Sequence, residues 1–210
     1  MVKRVGVFGG SFDPPHIGHF ALVALAKERL ALDEVWVVPV GKAVHRALTT
    51  HVSAMQRLQW VKELFLPLSY VQVLDWEVQA SHPVPTIETM RRVAEVLSLP
   101  PYWLMGMDAW KNIPSWVGYP EHCSLCNVAV LERHGEVRWH DERWKETSHY
   151  ADDLPAGHVC YINGALPAVS ATEIRQAILM KEDVSAVLDA TIKSDIQAAY
   201  TNQGSYEVDE

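Results

Sequence analysis

The N-terminal region contains one pattern that restricts the fold more than any other stretch of the 210-residue chain. Residues 5–8 (Val-Gly-Val-Phe) form a short β-branched and aromatic run, which is typical of a buried strand. Gly9 and Gly10 follow, and glycine tolerates turns and close backbone approaches that other residues resist. Apolar residues then recur at helical spacing over 18–30. The pattern predicts a strand, a glycine turn and an amphipathic helix.

The start of that helix is suited to binding phosphate. Unpaired N–H groups and the positive end of the helix dipole lie there. His16 and His19 stand three residues apart at this end, so both can face one ligand. Either imidazole could donate a hydrogen bond in its neutral or its charged form, and a phosphate partner would favour the charged form.

The remainder of the chain alternates between strand and helix patterns. Strand runs follow one another at 34–38, 70–74, 102–106, 127–131 and 159–162. A strand–helix–strand order predicts right-handed βαβ units and a parallel sheet. We therefore expect an α/β fold with a Rossmann-like, doubly wound parallel sheet flanked by helices. We expect one domain over 1–203, with a C-terminal helical portion at about 170–203 and a mobile acidic tail at 204–210.

Composition excludes several classes of protein. The formal net charge of −8 argues against a general nucleic-acid binder, which would show a basic face. The chain has neither a charged-then-apolar leader nor an apolar run of membrane-spanning length, so we expect a cytoplasmic protein that has no membrane partner. Three cysteines do not make a disulfide framework. Cys123 and Cys126 have metal-ligand spacing, and the alternatives are a zinc site or two buried thiols.

A second signal lies near the C-terminus. Ser170 and Glu173 have the spacing of a capping box, which predicts a helix running to about residue 181. Arg175 follows within the first two turns. Its guanidinium is always charged and can form paired hydrogen bonds with phosphate oxygens.

Both signals resemble motifs of one family. The string at 9–19, Gly-Gly-Ser-Phe-Asp-Pro-Pro-His-Ile-Gly-His, is similar to the signature of the nucleotidylyltransferase superfamily, which binds the phosphates of ATP. The string at 169–175, Val-Ser-Ala-Thr-Glu-Ile-Arg, resembles the family motif that binds the β- and γ-phosphates. The resemblance implies a nucleotidylyltransferase domain with catalytic roles for His16, His19 and Arg175. It implies ATP-binding roles for Gly9, Gly10, Ser11, Phe12, Gly18, Gly106, Asp108, Arg133, Ser170 and Thr172.

Other segments resemble the nicotinate mononucleotide adenylyltransferases of that superfamily. The segment at 112–116 is similar to the family segment whose tryptophan stacks on the pyridine ring. The loop at 40–48 resembles the family's substrate loop at its His-Arg end, although Ala43 and Val44 replace the usual prolines. Thr86 matches the end of a Ser-Tyr-Thr helix start, here Val-Pro-Thr, and is also expected to cap that helix. The resemblance implies acceptor-binding roles for Lys42, His45, Arg46, Thr86 and Trp116.

The implied reaction is transfer of the adenylyl group of ATP to nicotinate mononucleotide, giving deamido-NAD and pyrophosphate. Magnesium is expected to arrive with the ATP phosphates. The acceptor phosphate is already an anionic nucleophile, so the protein needs to align two polyanions and stabilise charge. The alternatives are an adenylyltransferase for nicotinamide mononucleotide or another phosphate acceptor, and a non-catalytic nucleotide-binding regulator. The oligomeric state, homo-oligomers included, stays open at this point.

Overall fold

A parallel β-sheet forms the centre of the chain in a computed structural model that describes residues 3–42, 52–132, 137–148 and 154–201. Its strands are β1 (Val5–Gly10), β2 (Glu34–Pro39), β3 (Val71–Val73), β4 (Tyr102–Gly106), β5 (Asn127–Glu132), β6 (Lys145–Glu146) and β7 (His158–Asn163). The strand order is β3-β2-β1-β4-β5-β7-β6, and all neighbouring pairs are parallel. This confirms the expected Rossmann-like, doubly wound sheet.

Helices cover both faces of the sheet. They are α1 (Ile17–Arg29), α2 (Ala54–Phe65), α3 (Thr86–Val96), α4 (Met107–Asn112), α5 (Ala171–Leu179) and α6 (Lys193–Thr201). Side chains of α1, α2, α5 and α6 build one hydrophobic core, and those of α3 and α4 build a second. Successive residues of a strand pack into opposite cores. In β1, Phe8 belongs to the first core and Val7 to the second. In the described ranges, no helix is long and apolar enough to span a bilayer.

The polar segment from 135 to 157 predicts a surface excursion with Trp139 and Trp144 as isolated anchors, and the structure departs from this by one short strand. Its described part forms the edge strand β6, which pairs with β7 in register Lys145↔His158. Trp144 is only 1% exposed, and its ring lies edge-to-face on Trp110 with centroids 5.6 Å apart. A two-residue strand carries too little periodicity to be recognised in a sequence. The predicted tail at 204–210 lies outside the described residues, and the domain bounds at 1–203 stay a prediction.

We expect Trp144→Ala to lower the free energy of unfolding by about 3–5 kcal/mol, because it leaves a large cavity against Trp110. Urea denaturation followed by circular dichroism measures this change. Val137→Ala is the matched control, since Val137 is 79% exposed and its truncation should change stability by less than about 0.5 kcal/mol. Equal effects of the two substitutions would contradict a core position for Trp144.

Candidate active site

A cavity of about 310 Å³ opens at the carboxyl ends of the central strands. It lies where the strand order reverses between β1 and β4, the position at which open α/β sheets bind ligands. Phe8 of β1, Gly106 of β4 and Leu131 of β5 contribute to its lining.

The two sequence signatures meet in this cavity. His16, Gly18 and His19 line it from the start of α1, and Ser170 and Ala171 line it from the start of α5. Two helix N-termini therefore face one space. Each supplies N–H groups and the positive end of a dipole, which together suit a polyanion.

Helix α1 begins in a reciprocal cap made by two histidines. His16 is the N-cap residue, and its Nδ1 accepts the N–H of Gly18 at 3.1 Å. His19 Nδ1 accepts the N–H of His16, also at 3.1 Å. The rings stack with centroids 3.7 Å apart. Because each Nδ1 accepts a hydrogen bond, each neutral ring carries its proton on Nε2, which makes Nε2 the donor atom of the ring.

The surroundings of His19 favour its neutral form. Burial, followed by the neighbouring His16, lowers the pKa of His19 well below its ordinary value. Phe12 packs edge-on against the His19 ring at 4.9 Å, and Phe8 lies at 5.9 Å. An imidazolium would also carry a proton on Nδ1 and would lose the bond from His16. The charged form, which a phosphate partner would favour, is therefore opposed by both the packing of His19 and its hydrogen bond.

The start of α5 has the predicted capping box. Ser170 Oγ accepts the Glu173 N–H at 3.2 Å, and the Glu173 carboxylate accepts the Ser170 N–H at 3.0 Å. Arg175 reaches the N-terminal turn, where its Nη1 donates to the main-chain oxygen of Asp13 at 2.6 Å. Its Nη2 donates to Thr172 Oγ1 at 3.2 Å. The guanidinium thus adjoins the turn that carries the histidines, although Arg175 is not among the described lining residues of the cavity.

The other predicted ATP-binding residues lie on or beside the turn. Gly9 and Gly10 end β1, and the buried Phe12 packs beneath the histidines. Asp108 lines the cavity as the second residue of α4. It caps nothing, because Gly106 occupies the N-cap position without a side-chain hydrogen bond. The prediction for Arg133 lies outside the described residues.

Arg57 of α2 is a buried charge and not a surface residue. Arg57 is 1% exposed, and its guanidinium donates to the main-chain oxygens of Ser11, Val40 and Gly41, the last two at 2.8 and 3.1 Å. It therefore ties the turn before α1 to the loop after β2. The sequence contains a signal for the burial of Arg57, because Arg57 shares the apolar face of α2 with the buried Val61 and Leu64.

The acceptor-side predictions gather around the start of α3. Lys42 Nζ donates to the main-chain oxygen of Ser81 at 2.7 Å, in the loop before α3. Thr86 is the first residue of α3 and does not cap it, since Pro85 is the N-cap residue and no side chain caps that end. Trp116 is partly buried beside the second core.

Tight backbone packing holds these acceptor-side segments together. Gly118 has φ of +80°, and a Cβ there would lie 2.9 Å from Ile87 in the first turn of α3. A Cβ on Gly41 would lie 1.9 Å from the main-chain oxygen of Glu77. The described lining of the cavity contains none of Lys42, Thr86 and Trp116. The predictions for His45 and Arg46 lie outside the residues that the structure describes.

The cysteines and the acidic side chains decide which metals the described part of the chain could hold. Of the two cysteines with metal-ligand spacing, Cys126 is buried, whereas Cys123 is only partly buried. Burial raises the pKa of both thiols. Across the described ranges, no three His, Cys, Asp or Glu side chains gather into a metal site. The cavity does contain one carboxylate, that of Asp108. One carboxylate together with phosphate oxygens and water suits a magnesium ion that enters with a nucleotide.

Comparisons with known proteins agree with this geometry. The family model described as cytidylyltransferase-like matches residues 7–177. A probable nicotinate-nucleotide adenylyltransferase from Shewanella frigidimarina is 31% identical over 199 residues, which cover 90% of this chain and 94% of that protein. The corresponding protein of Pseudomonas entomophila is 32% identical and covers 94% of each chain.

Solved structures share the fold. Plasmodium falciparum nicotinic acid mononucleotide adenylyltransferase complexed with APC superposes with a TM-score of 0.66 at 18% identity, covering 94% of this chain and 98% of that one. The same enzyme complexed with NaAD gives a TM-score of 0.66 at 19% identity.

We expect His19 to be neutral at pH 7, with its proton on Nε2. Nitrogen-15 histidine NMR reports the tautomer directly, and His19→Asn assigns the resonance. Because the pKa of folded His19 is depressed, the unfolded chain binds this proton first, so stability falls as pH drops below about 6.5. The loss approaches about 1.4 kcal/mol per pH unit until His19 itself titrates. An imidazolium, or an Nδ1–H tautomer, at pH 7 would contradict the assignment.

Proposed function

The chain belongs to the cytidylyltransferase-like family, and on that premise we propose that it is a nicotinate-nucleotide adenylyltransferase. It transfers the adenylyl group of ATP to nicotinate mononucleotide and releases pyrophosphate, as a cytoplasmic enzyme of NAD synthesis. The observation that carries the proposal is the single cavity shared by the starts of α1 and α5. Relatives that match over 94% of their own length and are named probable nicotinate-nucleotide adenylyltransferases support the choice of substrate.

The cavity supports a mechanism based on alignment and charge stabilisation. A phosphate oxygen of the mononucleotide attacks the α-phosphorus of ATP, and the bond to the pyrophosphate oxygen breaks. No protein nucleophile or general base is required. His16 and His19 would donate their Nε2–H groups to the α- and β-phosphates, and Ser11 could add a hydroxyl. These donors are fixed by the cap before substrate arrives, which is the condition for effective stabilisation of a transition state.

The second helix start would hold the remainder of ATP. Ser170 and Thr172 would lie beside the β- and γ-phosphates, to which the Thr172 N–H would donate. Gly9, Gly10, Phe12 and Gly18 would shape the turn beside them. Arg175 would supply permanent positive charge from the adjoining turn. Gly106, Asp108 and Arg133 would bind the nucleoside side.

Magnesium would be held by the nucleotide phosphates and by the Asp108 carboxylate. When bound, the ion offsets phosphate charge and orients the phosphate oxygens. The residues of this chain then need only bind and orient the two substrates.

The acceptor would lie toward the start of α3. The first N–H groups of α3 have no side-chain cap, so they offer hydrogen bonds and the positive dipole end to an anionic substituent. A carboxylate on the pyridine ring benefits from both, and a neutral carboxamide benefits less. Trp116 would stack on that ring, and Lys42, His45, Arg46 and Thr86 would bind the rest of the acceptor.

A panel of acceptors tests the proposal. The purified chain with ATP and magnesium is given nicotinate mononucleotide, nicotinamide mononucleotide or no acceptor, and pyrophosphate release is followed. We expect the largest kcat/KM with nicotinate mononucleotide. A higher value with nicotinamide mononucleotide would change the assigned acceptor, and ATP binding without release from any acceptor would identify a non-catalytic regulator.

We expect His19→Ala to reduce kcat about 10²–10³-fold, by the loss of one preorganised donor. This substitution also removes the acceptor for the His16 N–H, so His19→Asn provides a second test. Asparagine keeps a hydrogen-bond acceptor but lacks the Nε2–H donor, and it should show the same loss in kcat with less loss of stability. The exposed His140→Ala is the control and should behave as wild type. Near-normal turnover in both His19 variants would refute the catalytic role.

A further inference from the structure

Three side chains from distant helices hold the turn that precedes α1. Tyr200 of α6 donates its hydroxyl to Asp13 Oδ1 at 2.5 Å, and both residues are buried. Arg175 of α5 binds the main-chain oxygen of Asp13, and its Nη1 lies 3.9 Å from Asp13 Oδ2. Arg57 of α2 binds the main-chain oxygen of Ser11. We call Asp13, Arg57, Arg175 and Tyr200 the Asp13 cluster.

The residue between the two held positions is strained. Phe12 has φ of +48°, in the left-handed region that non-glycine residues rarely adopt. Such a conformation persists only where its surroundings over-determine it. Here Arg57 holds the carbonyl oxygen of the peptide group that precedes Phe12. Arg175 and Tyr200 hold the carbonyl oxygen and the carboxylate of the next residue, Asp13.

The strained residue in turn contacts a catalytic candidate. The Phe12 ring lies edge-on to the His19 imidazole, with centroids 4.9 Å apart, and Phe12 is 1% exposed. A shift of Phe12 would therefore move the His19 ring. A chain of contacts runs from the Tyr200 hydroxyl through Asp13 and Phe12 to His19.

The polar character of this chain of contacts suggests more than stabilisation. Well-packed apolar residues often stabilise an interior as well as buried charged groups do. A buried polar network such as the Asp13 cluster, by contrast, favours the one geometry in which its directional hydrogen bonds form. Burial, followed by the bond to Asp13, raises the pKa of Tyr200, so its hydroxyl remains a donor at any physiological pH.

We propose that Tyr200 is a positioning residue of the transferase site, which acts through Asp13 and Phe12 to fix the imidazole of His19. The kinetic consequence of this inference, a change in kcat, rests on the proposed function. Its structural consequence, the orientation of His19, is independent of which acceptor the enzyme uses.

Tyr200→Phe tests the inference because it removes only the hydroxyl. The ring and its packing on Trp60, at 6.2 Å between centroids, remain possible. We expect kcat to fall about tenfold while KM for ATP changes less than about threefold, since a small displacement of a preorganised group weakens the transition state more than the ground state. The nitrogen-15 resonances of His19 should shift in the same variant.

Tyr161→Phe is the matched control. The Tyr161 hydroxyl donates to the main-chain oxygen of Trp139 at 2.5 Å and accepts from Trp110 at 3.1 Å, beside the core on the other face of the sheet. Its loss should lower the melting temperature, as loss of the Tyr200 hydroxyl should. It should leave kcat and the His19 resonances unchanged. A purely structural role for Tyr200 predicts that the two variants behave alike.

A double-mutant cycle with Asp13→Asn tests the route. If Tyr200 acts through Asp13, the second substitution adds little to the kcat loss of the first, whereas independent effects multiply. Wild-type kcat and unshifted His19 resonances in Tyr200→Phe, or multiplying effects in the cycle, would overturn the inference. If the wild-type chain transfers adenylyl to no acceptor, the proposed function fails, and the His19 resonances in Tyr200→Phe still decide this inference.

Discussion

The reciprocal cap between His16 and His19 is the interaction on which the candidate site depends. A helix start normally takes its cap from a hydroxyl or a carboxylate, which would place oxygen acceptors at the end that must receive an anion. Here two imidazoles cap through Nδ1 and keep Nε2–H as a donor. The atoms that begin α1 thus belong to the same rings that would bind phosphate. Substitution of either histidine changes fold and chemistry together, which is why variants that retain an acceptor are the informative ones.

Sheet topology explains how motifs 150 residues apart come to face one cavity. The strand order reverses between β1 and β4, so the helices that follow β1 and β7 approach the carboxyl ends of the central strands from one face. The last helix, α6, packs on that face as well, and Tyr200 extends from it to Asp13. The C-terminal helices therefore do more than cover the sheet, because they complete the support of the N-terminal turn.

The parts of the site that the sequence predicts are those encoded locally. His16, His19 and the Ser170 capping box belong to short strings whose spacing specifies a helix start, and the structure has all three at one cavity. Contacts between distant segments have no such signal. Nothing near Tyr200 indicates its bond to Asp13, which lies 187 residues away. Thr86 failed as a predicted cap because propensity favours threonine there, whereas the chain turns into α3 one residue earlier, at Pro85.

The charge arrangement follows from the same geometry. The chain has a net charge of −8, yet two arginines, Arg57 and Arg175, bind main-chain oxygens of the turn before α1. Arginine stays charged at any pH at which the protein is folded, so this local excess of positive charge does not titrate. The histidines in front need not be protonated to attract phosphate and can act as neutral, well-aligned donors. The arginines at the turn therefore attract the anionic substrate, and the neutral histidines align it. Burial favours the neutral form of His19, which assists the alignment and leaves the attraction by the arginines unchanged.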